Sequence, residues 1–181
     1  MNENTVTRLK KYLSERQKTT YLKFTTFSPV KPCGENTTKE AEKKLSFSLP
    51  PLLSEIYSTV ANGGFGPGYG VMGIPGGFVD DRGNNALDLY LIWRQTDPED
   101  SSWKWPEGHL PICHWGDAVY SVVDCIKEPY AVYFFDPSGK IEGGPMTDCI
   151  MGNKEPLSEW LNDWMDGKDL WKLLFRQSRI T

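Results

Sequence analysis

Three β-rich runs in the second half of the chain, 110–115, 118–125 and 130–135, limit the fold more than any other feature of the sequence. Gly116-Asp117 separates the first two, and the third ends at Asp136-Pro137-Ser138-Gly139, so each boundary carries turn chemistry. Strands joined this closely pair with their neighbours, and the expectation is an antiparallel meander. At 181 residues the chain only slightly exceeds the roughly 150 that serve as a prior for one domain, and 39% hydrophobic residues supply a proper core.

Helical patterns surround the meander. Val6, Leu9, Tyr12 and Leu13 recur at helical spacing among basic residues, and 19–36 then reads as extended chain and loop. Thr37 and Glu40 have the spacing of a capping box ahead of a short helix. Pro50 and Pro51 suit the first positions of the next helix, whose buried face is Leu52, Leu53, Ile56, Tyr57 and Val60, and Asn62-Gly63-Gly64 supplies a left-handed stop. Eight glycines in the fifteen positions 63–77 read as a tight loop entering a short strand. Asn84 or Asn85 caps a further helix through Ala86, Leu89, Tyr90, Ile92 and Trp93. Leu157, Trp160, Leu161, Trp164 and Met165 mark one buried helix face closed by Gly167, and a terminal helical turn follows over 170–175. The expected class is α+β, a central antiparallel sheet with helices packed around it in a single domain over 37–181, preceded by a basic segment over 1–36.

Residues 1–5 lack a basic region followed by an apolar stretch, and no apolar run approaches the roughly 18 residues of a spanning helix, so a cytoplasmic protein without membrane contact is expected. Cys33, Cys113, Cys125 and Cys149 are irregularly spaced and read as reduced, mostly buried thiols.

Few motifs point to catalysis. Gly68-x-Gly70-x-x-Gly73 follows a helix and leads to a strand, the reverse of a dinucleotide-binding context. His109, Cys113, His114 and Cys125 have zinc-ligand chemistry, but on a regular strand Cys113 and His114 point to opposite faces, so neither a metal nor another cofactor is expected. A cysteine nucleophile would have to come from the same residues, and a thiol in a β-run reads better as a small core residue. The carboxylates Asp80, Asp81, Asp97, Glu99 and Asp100 leave a hydrolase as an alternative, although their spacing fixes no cleft. Trp103, Trp105 and Trp115 suit a stacking platform for sugars, which keeps a carbohydrate-binding or cell-wall regulatory module open as another alternative. Stacked bases would need positive charge nearby, and only Lys104 is local, so direct nucleic-acid binding is not expected.

Charge is unevenly distributed. Residues 1–60 hold 10 basic and 6 acidic side chains, net +4; 168–181 hold 4 and 1, net +3; and 61–167 hold 6 and 17, net -11. An acidic block with tryptophans in its loops suits a basic protein surface, because charge complementarity steers encounter and aromatic residues anchor the complex.

The order Leu49-Pro50-Pro51-Leu52-Leu53, Tyr57, Asn62-Gly63-Gly64 and Tyr69-Gly70-Val71, then Trp105-Pro106, Leu110-Pro111-Ile112, Trp115-Gly116-Asp117, Asp124-Cys125 and Leu157-x-x-Trp160-Leu161, resembles the SUKH superfamily over residues 37–175. Its fungal members regulate cell-wall synthesis and most bacterial ones are immunity proteins. The resemblance implies an α+β domain that binds another protein without catalysis, here a cognate toxin with a basic surface, many toxins met by the family being nucleases. Leu49, Pro50, Asn62, Gly63, Gly64 and Trp160 carry the structural motif. Partner contacts are placed, from loop position and chemistry, at Asp97, Glu99, Asp100, Trp103, Trp105, Glu107, Trp115 and Asp117, and the expected state is a monomer or weak homodimer.

Overall fold

The computed structural model describes residues 4–18, 28–95, 99–141 and 144–172. In chain order the elements are α1 (Thr5–Lys18), α2 (Glu35–Leu45), α3 (Pro51–Thr59), β1 (Gly70–Val71), α4 (Ala86–Trp93), β2 (His109–Gly116), β3 (Val119–Asp124), β4 (Ala131–Phe135), β5 (Ile150–Pro156) and α5 (Leu157–Met165). The strands form one five-stranded sheet in the order β1-β2-β3-β4-β5, and each neighbouring pair is antiparallel. The protein is therefore α+β, with a central antiparallel sheet and helices packed on it, as the turn chemistry leads one to expect.

The β2–β3 hairpin turns at Asp117 and Ala118, both left-handed with φ of 50° and 63°, a backbone that follows the twist of the paired strands. β2 breaks register twice, between Pro111 and Cys113 and again between His114 and Gly116. Cys113 and His114 lie between these irregularities and pair with consecutive β3 residues, Ser121 and Tyr120; both are buried, as are Val119 to Val123 of β3, so both faces of the sheet are covered here. β5 is a strand that hydrophobic alternation does not disclose. Its residues include Gly152, Lys154 and Pro156, which an edge strand tolerates because only one side must pair.

Two helix details differ from the sequence reading. α2 starts at Glu35 after Gly34, and Thr37 lies inside the first turn, where its hydroxyl donates to the Cys33 carbonyl at 3.1 Å; the Thr37 and Glu40 pair is not a capping box. In α4 the cap is Asn85, whose side chain accepts from the Asp88 amide, but Ile92 is exposed and Leu87 is buried. The helix Ala-Leu-Asp-Leu-Tyr-Leu-Ile-Trp is apolar nearly all round, so spacing alone does not choose its buried face.

The core runs from α1 to α5. Val6, Leu9 and Leu13 of α1 are buried in it, Tyr12 meets the Trp164 ring edge-on at 4.8 Å, and Arg8 bonds Asn162 at 3.0 Å and pairs with Asp166. α3 begins with Pro51 at its first helical position, buries Leu53, Ile56 and Tyr57, and ends just before Asn62. The Asn62 amide is fully engaged: Oδ1 accepts from the Ile74 amide at 2.9 Å, and Nδ2 donates to the Ile74 and Pro75 carbonyls at 3.2 and 3.4 Å. Gly63 follows at φ 81°, where an added Cβ would lie 2.6 Å from the Val71 carbonyl oxygen, so neither the conformation nor the space admits a side chain. Because buried polar groups that lose their partner cost about 1–3 kcal/mol each, Asn62→Ala should destabilise the fold by at least about 2 kcal/mol in urea denaturation. A loss below about 0.5 kcal/mol would show that the tie contributes little.

Candidate functional site

The loop before β2 carries the tryptophans, and the structure turns two of them inward. Trp105 is 1% exposed; its ring lies 4.4 Å from Trp93 and 4.9 Å from Phe135, and its Nε1 donates to the His109 carbonyl at 2.7 Å. Trp103 is half-buried and donates from Nε1 to the Trp93 carbonyl at 3.0 Å. Trp105 is thus a core residue and not a partner contact, because a loop of polar composition folds back over α4 and covers the sheet. Trp115 is half-buried and donates to Ser121 Oγ at 2.8 Å.

The acidic candidates are similarly dispersed. Asp100 is bound by Lys140 and Ser102, which hold its carboxyl at about 2, so it is a loop clamp before it is a contact. Asp97 lies outside the described residues. Glu99 and Glu107 are exposed, but Glu107 sits by the His109 end of β2 while Asp117 sits beyond its Gly116 end. The seven described residues of the eight placed from sequence therefore do not make one patch.

Trp115 and Asp117 instead join a different set. A cleft of about 540 Å³ is lined by Tyr69, Phe78, Val79, Asp80, Asp81, His114, Trp115, Gly116 and Asp117. Among the described residues no Lys or Arg belongs to this lining. The glycine loop delivers one wall: the Tyr69 amide donates to the His114 carbonyl at 2.9 Å, and the Tyr69 ring lies over Gly116, where a Cβ would approach within 3.0 Å of it. Asp80 builds the floor. Its Oδ1 accepts from the Arg82 and Asn84 amides at 2.9 and 2.8 Å, and its Oδ2 accepts from the Tyr120 hydroxyl at 3.1 Å. Burial, and then the Asp80 carboxylate beside it, pushes the Tyr120 phenol far above its usual range, so it stays a protonated donor. His114 is 4% exposed, stacked on Tyr120 at 4.8 Å and 5.5 Å from the Tyr69 ring, with Asp81 Oδ1 3.9 Å from its Nε2.

Sequence reasoning weighed Asp80 and Asp81 only as part of a carboxylate cluster and missed Tyr69, Phe78 and His114 as members of one site. The available signal was Tyr69, a large aromatic residue placed among glycines. Burial raises the Cys113 and Cys125 thiols well above their usual range, which keeps both in the unreactive thiol form. Among the described residues no group of three or more His, Cys, Asp or Glu side chains is arranged to hold a metal, and no helix is long and apolar enough to cross a membrane.

The model of the SMI1/KNR4 family (SUKH-1) matches residues 32–167, which takes in the whole sheet, the glycine loop and the cleft. The chain belongs to this family. No curated protein and no solved structure matches it. In this SUKH-1 chain α1 precedes the matched segment, yet its apolar face is part of the same core.

Two measurements check the placement of these residues. Trp105→Ala should cost about 3–5 kcal/mol as a core truncation and lower the melting temperature by roughly 10 °C, whereas a change of a degree or two would return Trp105 to the surface. Lys140→Met should move the Asp100 carboxyl up from about 2 towards the usual value near 3.9, read by carboxyl NMR titration. The folded-state value lies below the unfolded one, so this pairing stabilises the fold above about pH 4 and is lost as pH falls towards 2. An Asp100 titration unaltered by the substitution would mean that Lys140 does not hold it.

Proposed function

We propose that this SUKH-1 chain is a cytoplasmic immunity protein that binds and neutralises a cognate toxin, a nuclease, by protein–protein contact without catalysis. The observation that carries the reading is the cleft itself. It combines an aromatic ring 54% exposed at Tyr69 with the Asp81 and Asp117 carboxylates, and it lies in the segment of net charge -11. An exposed aromatic beside carboxylates matches a basic protein face in both chemistry and sign: the ring supplies contact area at low entropic cost, and the carboxylates steer approach. A nuclease must carry such a basic face to bind a phosphate backbone, and an acidic inhibitor fits it for the same reason.

With the purified nuclease domain of the cognate toxin, Tyr69→Ala should weaken binding by about 30-fold, corresponding to roughly 2 kcal/mol at a central aromatic anchor. Reversing Asp81 and Asp117 to Lys together should slow association and flatten its dependence on salt. Both substitutions are at exposed positions, so the melting temperature should hold within a few degrees. Unchanged affinity in the first variant and an unchanged salt slope in the second would remove this cleft from the interface. Quenching of tryptophan fluorescence by glycans, with no binding to any toxin, would transfer the site to the cell-wall regulatory reading.

A further inference from the structure

We propose that the cleft takes the guanidinium group of an arginine side chain presented by the partner protein. This rests on the reading that a basic protein docks here, and it names the chemical group that enters. The supporting feature is His114. Its side chain is 95% buried, it lines the cleft, and among the described residues it makes no hydrogen bond and has Asp81 as its one ionic neighbour within 4 Å, at 3.9 Å, too far for a hydrogen bond. In the tautomer that the proposal requires, with the ring proton on Nδ1, Nε2 and Asp81 Oδ1 would form two acceptors side by side with no donor between them.

The other polar groups of the wall do not supply that donor. Asp80 is itself an acceptor and already takes the Tyr120 hydroxyl and two backbone amides. A ligand that satisfies the pair must bring hydrogen-bond donors, and beside the Asp81 carboxylate a cationic donor is favoured over a neutral amide or hydroxyl, which points to guanidinium or ammonium. The aromatic surroundings separate the two. The Tyr69 and His114 rings are tilted only 30° from each other at 5.5 Å, and the Tyr69 ring remains largely exposed, so it offers its face to a flat cation. Guanidinium is planar, weakly hydrated and forked, and can stack on the ring while donating to both acceptors; ammonium is compact, strongly hydrated and has no face to stack. A volume of about 540 Å³ admits the side chain together with the turn that carries it.

The test uses N-acetyl-arginine N-methylamide and its lysine counterpart, titrated into the isotopically labelled full chain and followed by NMR at the Tyr69, Asp81 and Gly116 amides and the His114 ring. The arginine probe should give saturable shifts confined to the cleft, with the lysine probe at least about fivefold weaker, and Asp81→Asn and Tyr69→Ala should each weaken the arginine probe by about threefold to fivefold. Equal response to both probes, or arginine shifts that survive in both variants, overturns the proposal. If Tyr69→Ala abolishes toxin binding while the arginine probe leaves the wild-type cleft unmoved, the guanidinium site is wrong and the docking reading stands. If the probe binds as described and toxin binding ignores Tyr69→Ala, the guanidinium site stands and the docking reading is wrong.

Discussion

Asn62 is the residue on which the placement of everything around the cleft depends. Its side chain holds Ile74 and Pro75, its backbone carbonyl accepts from Phe78, and its backbone amide donates to Val30, so one residue after α3 fastens three separate stretches of chain. Two of the glycines in 63–77 follow from this tie. An added Cβ on Gly73 would sit 2.3 Å from the Asn62 carbonyl, and one on Gly77 2.5 Å from it. Backbone must approach backbone this closely for the loop to close, and only residues without a side chain permit it. Once closed, the loop lies along β2 through Tyr69 and Met72, whose amides donate to His114 and Ile112, and the Gly73 carbonyl receives the first amide of α4. The site is thus a consequence of a structural knot rather than a set of residues chosen independently.

How much of this can be read from residue order depends on whether the signal is local. The meander is legible because alternation and turn chemistry agree within a few residues, and α5 because its spacing buries one face only. β5 is not legible, since an edge strand need not alternate. Trp105 misleads for a related reason: polar composition marks 96–108 as a loop, but composition does not say what the loop covers, and the ring ends against Trp93 and Phe135. Asp100 misleads because its partner, Lys140, is forty residues away in the chain. Tyr69 and His114 meet only after the glycine loop has closed on β2, so their association has no sequence spacing to announce it.

The acidic block changes meaning when its members are located. Several of its carboxylates are occupied within their own loops: Asp80 by two amides and a phenol, Asp100 by Lys140 and Ser102, Asp124 by the Ile126 and Lys127 amides, Asp136 by Ser138. Their charges still add to the long-range field, which salt screens over about 8 Å at physiological strength. Short-range recognition has to come from groups with unspent hydrogen-bonding capacity, and among the described residues of the cleft these include the Asp81 and Asp117 carboxylates and the His114 ring. Net charge and contact chemistry therefore overlap in only a few residues, and the first can be large where the second is small.

The floor of the cleft shows why the arrangement can persist in the absence of a partner. Asp80 is only 7% exposed, and a buried carboxylate is costly unless its oxygens are filled. Two amides of its own turn fill one oxygen, and the Tyr120 phenol, held protonated by burial and by Asp80 itself, fills the other. Tyr120 in turn stacks under His114 and meets Trp93 edge-on at 5.1 Å, which carries the floor into the core. The donor-seeking face of the cleft is consequently mounted on a satisfied one. His114 is held in place by the Tyr120 ring beneath it, so a ligand that reaches this wall meets an imidazole already positioned, without the ordering cost that a flexible side chain would impose.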